Sequence, residues 1–295
     1  MTTIRIMFSR YSAFYSPLIA TKAAGFLAKE GLEAELSVAS PTDVPQTLLA
    51  EGKVDLIQSA PSASFGPIER GETLDVAHFA QINQRDGFFL ASRSPNPGFR
   101  WSHLAGAKVM VDHGRQPLAM FRYALHRQGV NFAGLDSIDA GSPDQMVAAF
   151  TAGEADYIHL QGPAPQQLEH EGIGHVVASV GEAIGPVAFS SLCATRDWLA
   201  SDTASAFMRA YNKARKWVVE TPADTIAEVE ASYFEDVERD ALLRTLAFYQ
   251  KLGTWADTPE IPRDAYEVAL DVFAHSGLIS TRPAYDQVVA APPVS

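Results

Sequence analysis

One cysteine in 295 residues, Cys193, excludes an intrachain disulfide, and its apolar surroundings predict a buried inert thiol rather than a nucleophile. Long apolar runs are missing as well, and no stretch reaches the roughly 18 residues that a membrane-spanning helix needs. Basic residues are scarce: 23 Lys and Arg stand against 35 Asp and Glu, giving a net charge of −12 and a pI near 5.1. That balance argues against nucleic acid or an anionic membrane as partner. An anionic small ligand stays open, because a local cluster of donors outweighs a distant mean charge. The phosphate-binding P-loop, the G-x-G-x-x-G fingerprint and the G-x-S-x-G elbow are absent. The nearest approach to a zinc-protease helix is His170-Glu171-Gly172-Ile173-Gly174-His175, whose histidines are five apart instead of four with two helix-weakening glycines between them. No metal and no cofactor is expected. The N-terminus shows no basic segment followed by an apolar core and a cleavage site. As written, the chain reads as cytoplasmic; as a mature form, it reads as periplasmic or extracytoplasmic.

What is present is a soluble globular composition, 47% hydrophobic and 20% charged, on a chain long enough for two domains. An internal echo organises it. Leu49-Ala-Glu-Gly52-Lys-Val-Asp55-Leu-Ile57 returns 101 positions later as Phe150-Thr-Ala-Gly153-Glu-Ala-Asp156-Tyr-Ile158. Each copy reads as a helix end, a glycine able to take the left-handed conformation, and a short buried strand. A second echo has nearly the same offset: Ser16-Pro17-Leu18 follows a strand over 4–8, and Gln116-Pro117-Leu118 follows one over 108–111. Strands and helices alternate with short connections, which predicts mostly parallel sheets covered on both faces. In lobe one, helices are predicted over 16–29, 41–51 and 62–70, and strands over 33–39, 54–57 and 74–81.

The expected architecture is α/β and two-lobed. Residues 1–90 and 190–295 form lobe one, 94–186 form lobe two, and the crossings lie near 88–94 and 187–195. From residue 201 the pattern turns helical, over 204–220, 224–233, 238–252 and 263–276, and the proline-bearing tail 290–295 is expected to fray. Ligands of such sheets sit outside the carboxyl ends of parallel strands, between the lobes. Four loops are expected to face that cleft. Residues 9–15 offer Arg10 for an anion and Tyr11 and Tyr15 for a planar group, with Ser16 beside them as the N-cap of the first helix. Residues 58–62 offer Ser59 and Ser62, either as ligand donors or as helix caps. Residues 112–117 join a strand, a turn and a proline-opened helix. There His113, Arg115 and Gln116 favour a carboxylate, sulfonate or phosphate. Residues 159–163 offer His159 and Gln161, with burial in the core the competing fate for His159. Ser190 is a weaker candidate on the return crossing.

These residues carry a family resemblance. The run Ser16-Pro17-Leu18-Ile19-Ala20, then Gly25-Phe26-Leu27-Ala28-Lys29-Glu30-Gly31-Leu32-Glu33, resembles the opening of solute-binding proteins of bacterial importers for thiamine-pyrimidine precursors, taurine and alkanesulfonates. The turns at 51–55 and 152–156 and the entry Leu104-Ala-Gly-Ala-Lys-Val109 are similar too. The resemblance covers nearly the whole chain. It implies a type II periplasmic-binding-protein fold with a C-terminal helical extension, closing on a small molecule for an ABC permease. Enzymes share this fold. Thiamine-pyrimidine synthase has a lysine for pyridoxal phosphate and a substrate histidine where Gln58 and Ser62 stand here. Its cysteine-rich run is reduced here to Phe189-Ser-Ser-Leu-Cys193. An aromatic desulfinase of this fold uses an early cleft cysteine, which this chain lacks. Two readings follow. The first is a non-enzymatic protein for a small planar or anionic organic solute, with no nucleic-acid or metal partner and no membrane embedding. The alternative is a cytoplasmic decarboxylase- or dehydratase-like enzyme acting on an aromatic or related carboxylic acid, with His113 as proton donor and Arg115 as anion anchor.

Overall fold

The computed structural model describes residues 1–40 and 42–294. Its ten strands are β1 (Thr2–Phe8), β2 (Leu32–Val38), β3 (Leu56–Ser59), β4 (Val76–Gln81), β5 (Phe88–Ser92), β6 (Lys108–Val111), β7 (Asp136–Ile138), β8 (Tyr157–Gln161), β9 (His175–Ser179) and β10 (Ser191–Thr195). They form two five-stranded sheets, ordered β2-β1-β3-β10-β4 and β7-β6-β8-β5-β9. In the first, β1 pairs parallel with β2 and β3, while β10 lies antiparallel between β3 and β4. In the second, β6 pairs parallel with β7 and β8, while β5 lies antiparallel between β8 and β9. The sheets are therefore mixed, and the two expected crossings supply the odd strand of each. This is the two-lobed periplasmic-binding-protein architecture.

Strand composition follows position. β4, β5 and β8 are buried along their whole lengths, as strands covered on both faces are. Edge strand β2 begins buried, exposed, buried, exposed. The echoed glycines take the same left-handed turn, φ +65° at Gly52 and +95° at Gly153, and each releases the chain into a parallel strand. Arg5 answers Asp55 with a forked contact of 2.7 and 3.0 Å, tying β1 to the turn before β3. In the second lobe Asp156 accepts from the Lys108 amide at 3.0 Å.

Some boundaries differ from expectation. The helix expected over 16–29 breaks at Gly25, φ +74°, into Ser16–Ala23 and Phe26–Lys29. The helix expected from 41 spans Pro45–Ala50, and Pro41 lies outside the described residues. The tail is tied where it leaves the last helix, since the Ala290 amide donates to the His78 carbonyl at 2.9 Å.

The C-terminal helices brace both lobes. Asp202–Glu220 packs on Ser16–Ala23 and Phe26–Lys29, and Arg239–Leu252 packs on Ala164–His170 of the second lobe. Arg215 is fully buried. It donates to the carbonyls of Gln81 (2.6 Å), Ala256 (2.5 Å) and Thr258 (2.8 Å), clamping the exit of β4. Five guanidinium N–H groups let one side chain satisfy several carbonyls, which is what makes a buried arginine tolerable. Tyr249 Oη donates to Gly87 O at 2.7 Å and Trp255 Nε1 to Phe14 O at 3.1 Å, so the first crossing is held from behind. Among the described residues no helix is long and apolar enough to cross a membrane.

Candidate functional site

The loops that leave the carboxyl ends of β1, β3, β6 and β8 converge between the sheets, and the second crossing closes the ring. The cleft they enclose measures about 430 Å³. Its aromatic walls are Tyr15, Phe88, Phe189 and Phe273; its polar groups include Ser9, Gln46, Gln58, Ser59, Ser62, Gln116, Gln161 and Ser190. Its charged groups are Arg10 and Arg115, and no Asp, Glu, His, Lys or Cys is among the lining residues.

Local contacts fix these side chains while keeping donors free. Gln58 Oε1 accepts from Ser9 N at 3.0 Å and Ser9 Oγ at 2.6 Å, so the amide's NH2 end is left for the cleft. Ser59 Oγ accepts from Gln46 Nε2 at 3.3 Å. Arg10 Nη1 lies 4.0 Å from Asp112 Oδ2, too far for a hydrogen bond, and its side chain is 42% exposed. The Asp112 Oδ2 that faces it has no hydrogen-bond partner among the described residues, while Oδ1 accepts from Gly114 N at 2.8 Å. Arg115 holds its guanidinium 5.6 Å from the Phe273 ring centroid and donates from Nη2 to Leu278 O at a long 3.5 Å, which orients a flat cation and leaves its other donors for the cleft. Two polar contacts cross the cleft. Ser62 Oγ donates to Gln116 Oε1 at 2.9 Å, and Gln116 Nε2 donates to Phe189 O at 3.2 Å. A third joins the lobes beside it, Ser12 Oγ donating to Gly162 O at 2.7 Å.

Of the residues singled out from sequence, Arg10, Tyr15, Ser59, Ser62, Arg115, Gln116, Gln161 and Ser190 line this cleft. Tyr11 lines an adjoining cavity and meets Tyr233 edge-on at 5.3 Å. Three others sit elsewhere. Ser16 is buried, its Oγ 2.7 Å from Glu230 Oε2 and 2.8 Å from Ala13 O. His113 turns back on its own strand, Nδ1 2.8 Å from Val111 O, with Asp139 at 3.9 Å. His159 is fully buried, stacked between Phe88 (4.8 Å) and Phe121 (4.6 Å). Burial drives its pKa down to about 3, with a smaller push from His113, so the ring is neutral. Among the described residues neither of its nitrogens has a hydrogen-bond partner. Cys193 is buried too, its thiol pushed up to about 12 by desolvation. Sequence reasoning missed Gln46, Phe88 and Phe273. Phe88 lay in a stretch read as a crossing, and nothing in the helical pattern around Phe273 marks it as a cleft wall.

The same chain order recurs in known proteins. The family model described as "NMT1/THI5 like" matches residues 13–225. YtlA, an inferred binding protein of Bacillus subtilis (strain 168), is 27% identical over 293 residues, covering 98% of this chain and 88% of its own. Among solved structures, the alkanesulfonate-binding protein SsuA from Xanthomonas axonopodis pv. citri, bound to MOPS, superposes with a TM-score of 0.74 at 17% identity, covering 99% of both chains. The ligand-binding component of an ABC-type import system from Staphylococcus aureus, with zinc bound, gives 0.75 at 16% identity over 99% of this chain and 97% of that one. At such identities the likeness is one of fold. Among the described residues no group of three or more His, Cys, Asp or Glu side chains is placed to hold a metal ion.

Proposed function

Because the chain belongs to the NMT1/THI5-like family, we propose that it is the solute-binding component of an ABC-type importer, closing its lobes on a small organic anion with a planar or apolar body. One observation carries this reading. In a protein of net charge −12, the cleft lining holds two guanidinium groups and no carboxylate. Arg10 comes from lobe one and Arg115 from lobe two, so an anion between them is held by both lobes at once. Each guanidinium offers a planar fork suited to a carboxylate, sulfonate or phosphate. Tyr15, Phe88, Phe189 and Phe273 supply faces for the ligand's body, and the serine and glutamine donors supply its orientation.

Closure follows from the same geometry. The Ser62–Gln116 contact joins the two lobes, and a ligand touching both lobes adds to it. Binding therefore shifts the population toward the closed form, which is the form a permease distinguishes from the empty one. In this role the protein works outside the cytoplasmic membrane and hands the solute to that permease unchanged. The lining residues include no Asp, Glu, His, Lys or Cys, and His113 is directed away from the cleft. That supports carriage over catalysis.

The test is a thermal-shift screen of carboxylates, sulfonates and anionic pyrimidines, followed by mass spectrometry of the recovered hit. A ligand at 100 times its Kd should stabilise the fold by about 2.7 kcal/mol. Recovery at the starting mass is expected. Recovery at a different mass would replace the carrier reading with an enzymatic one.

A further inference from the structure

A second acid-free cavity lies away from the cleft. It measures about 600 Å³ and is walled by the C-terminal turns of two helices, Arg115–Arg127 and Arg263–His275, and by residues 129–133 that follow the first of them. Its titratable lining is Arg122, His126 and His275, with no Asp or Glu. The two imidazoles come from different helices and stack, 4.4 Å between centroids at 30°. The same two helices send Arg115 and Phe273 to the main cleft.

Four observations give this lining a sign. Arg122 sits over the Phe132 ring, 4.5 Å from its centroid, and among the described residues none of its nitrogens has a hydrogen-bond or ion-pair partner. Asn131 Oδ1 accepts from Ala133 N at 3.0 Å, which leaves the NH2 end of that amide to donate. Asp271, one turn before His275, is taken by Arg282 at 2.8 Å. The other titratable groups on the two helix ends are Arg127, which is exposed, and Tyr123, whose ring meets His275 edge-on at 5.8 Å. Burial, then His126 and Arg122, lower the His275 pKa, so its neighbours oppose a proton on that ring. A dianion placed among them reverses the opposition, and proton and anion are then taken up together.

We propose that this cavity is an oxyanion site, separate from the main cleft, that takes a tetrahedral dianion such as sulfate or phosphate with its imidazoles protonated. Arg122 supplies a permanent charge, Asn131 an amide donor, and the imidazolium N–H groups the remaining donors. The ion bridges the helix Arg115–Arg127 and the helix Arg263–His275. The proposal does not depend on the anion-binding reading of the cleft.

The test is sulfate binding to the full chain, because sulfate keeps both negative charges where imidazole titrates and phosphate does not. The ring resonances of His126 and His275 are followed by NMR, assigned with His126→Gln and His275→Gln, at an ionic strength held constant with sodium chloride. Sulfate should raise the titration midpoint of both rings and bind at least about ten-fold tighter at about pH 5.5 than at about pH 8. At the lower pH, Arg122→Ala should weaken sulfate at least about ten-fold, whereas Arg10→Ala/Arg115→Ala should leave it within about two-fold. If sulfate moves the two rings no more than chloride does, the cavity attracts only diffuse counterions and the proposal is overturned. It is equally overturned if binding survives Arg122→Ala, or if binding is lost in Arg10→Ala/Arg115→Ala, which would put the ion in the main cleft.

Discussion

The two lobes open a helix beside the cleft in the same way, Ser16-Pro17-Leu18 in one and Gln116-Pro117-Leu118 in the other, and then use those helix starts in opposite ways. Both present backbone N–H groups and a partial positive charge. In lobe one the start is plugged from within. Glu230, at the end of the helix Ala223–Glu230, is fully buried with Oε2 2.7 Å from Ser16 Oγ. Ser16 Oγ also lies 2.8 Å from Ala13 O, and a hydroxyl has one proton to give. Both contacts are made when Glu230 is protonated and donates to Ser16, which donates onward to Ala13. Burial, which raises the Glu230 pKa well above the ordinary glutamate value, supplies that proton. In lobe two a carboxylate stands beside the start, Asp112 accepting from the Gly114 amide at 2.8 Å, but it leaves the first helical residues uncovered, and Arg115 and Gln116 face the cleft. Local sequence makes a helix start. Distant helices decide whether it stays open to a ligand.

The largest expected effect strips the open start of its cation. Arg115→Ala should weaken an anionic solute about 10- to 100-fold, since hydrogen bonds to charged groups contribute ~1.5–3 kcal/mol. Because Arg115 is exposed, Tm should hardly move, and titration calorimetry with a thermal melt reads both. Equal loss of affinity and stability would mean that Arg115 is structural.

Next comes the plugged start. Between the ordinary glutamate pKa of 4.5 and its raised folded value, Glu230 holds a proton in the native state that the unfolded chain gives up. Stability therefore falls as pH rises through that window, with a slope of up to ~1.36 kcal/mol per pH unit. Asp86, buried and raised to about 7, adds a slope of the same sign between 3.8 and that value. Urea denaturation of wild type and Glu230→Gln across pH isolates the Glu230 share, because the Asp86 share cancels in the difference. Parallel curves would show that Glu230 is charged when folded.

A smaller effect touches closure. Ser62→Ala removes the donor to Gln116, and a neutral hydrogen bond is worth ~0.5–1.5 kcal/mol, so affinity should fall about two- to ten-fold, mostly through faster dissociation. Stopped-flow dissociation separates this from a change in association rate. The smallest effect belongs to His159. Since the ring is neutral, buried and unpartnered, His159→Phe should leave affinity within about two-fold and stability within ~1.5 kcal/mol. A large loss of affinity would return His159 to the ligand site.

Much of this was legible in the sequence because it is local. Gly52 and Gly153 mark left-handed turns, Pro17 and Pro117 mark helix starts, and apolar runs mark buried strands. Loops after parallel strands were expected at the cleft, and eight of the named residues line it. What stayed hidden is long-range. Ser16 was read as a ligand neighbour because its partner Glu230 lies 214 positions away. Nothing near β10 says that it runs antiparallel between β3 and β4, and a helical pattern shows that Phe273 is apolar but not which cavity it walls. Arg215 reads as a solvated helix arginine until the carbonyls of residues 81, 256 and 258 gather around it.

The central claim is that the cleft selects negative charge, and one titration tests it most directly. The best carboxylate found in the screen is compared with its own primary amide, which keeps the shape and removes the charge. The account predicts that the amide binds at least about 30-fold more weakly, in line with the loss of a charge-assisted contact. Equal affinity for the two would contradict it, and the arginines would then be bystanders beside an aromatic pocket.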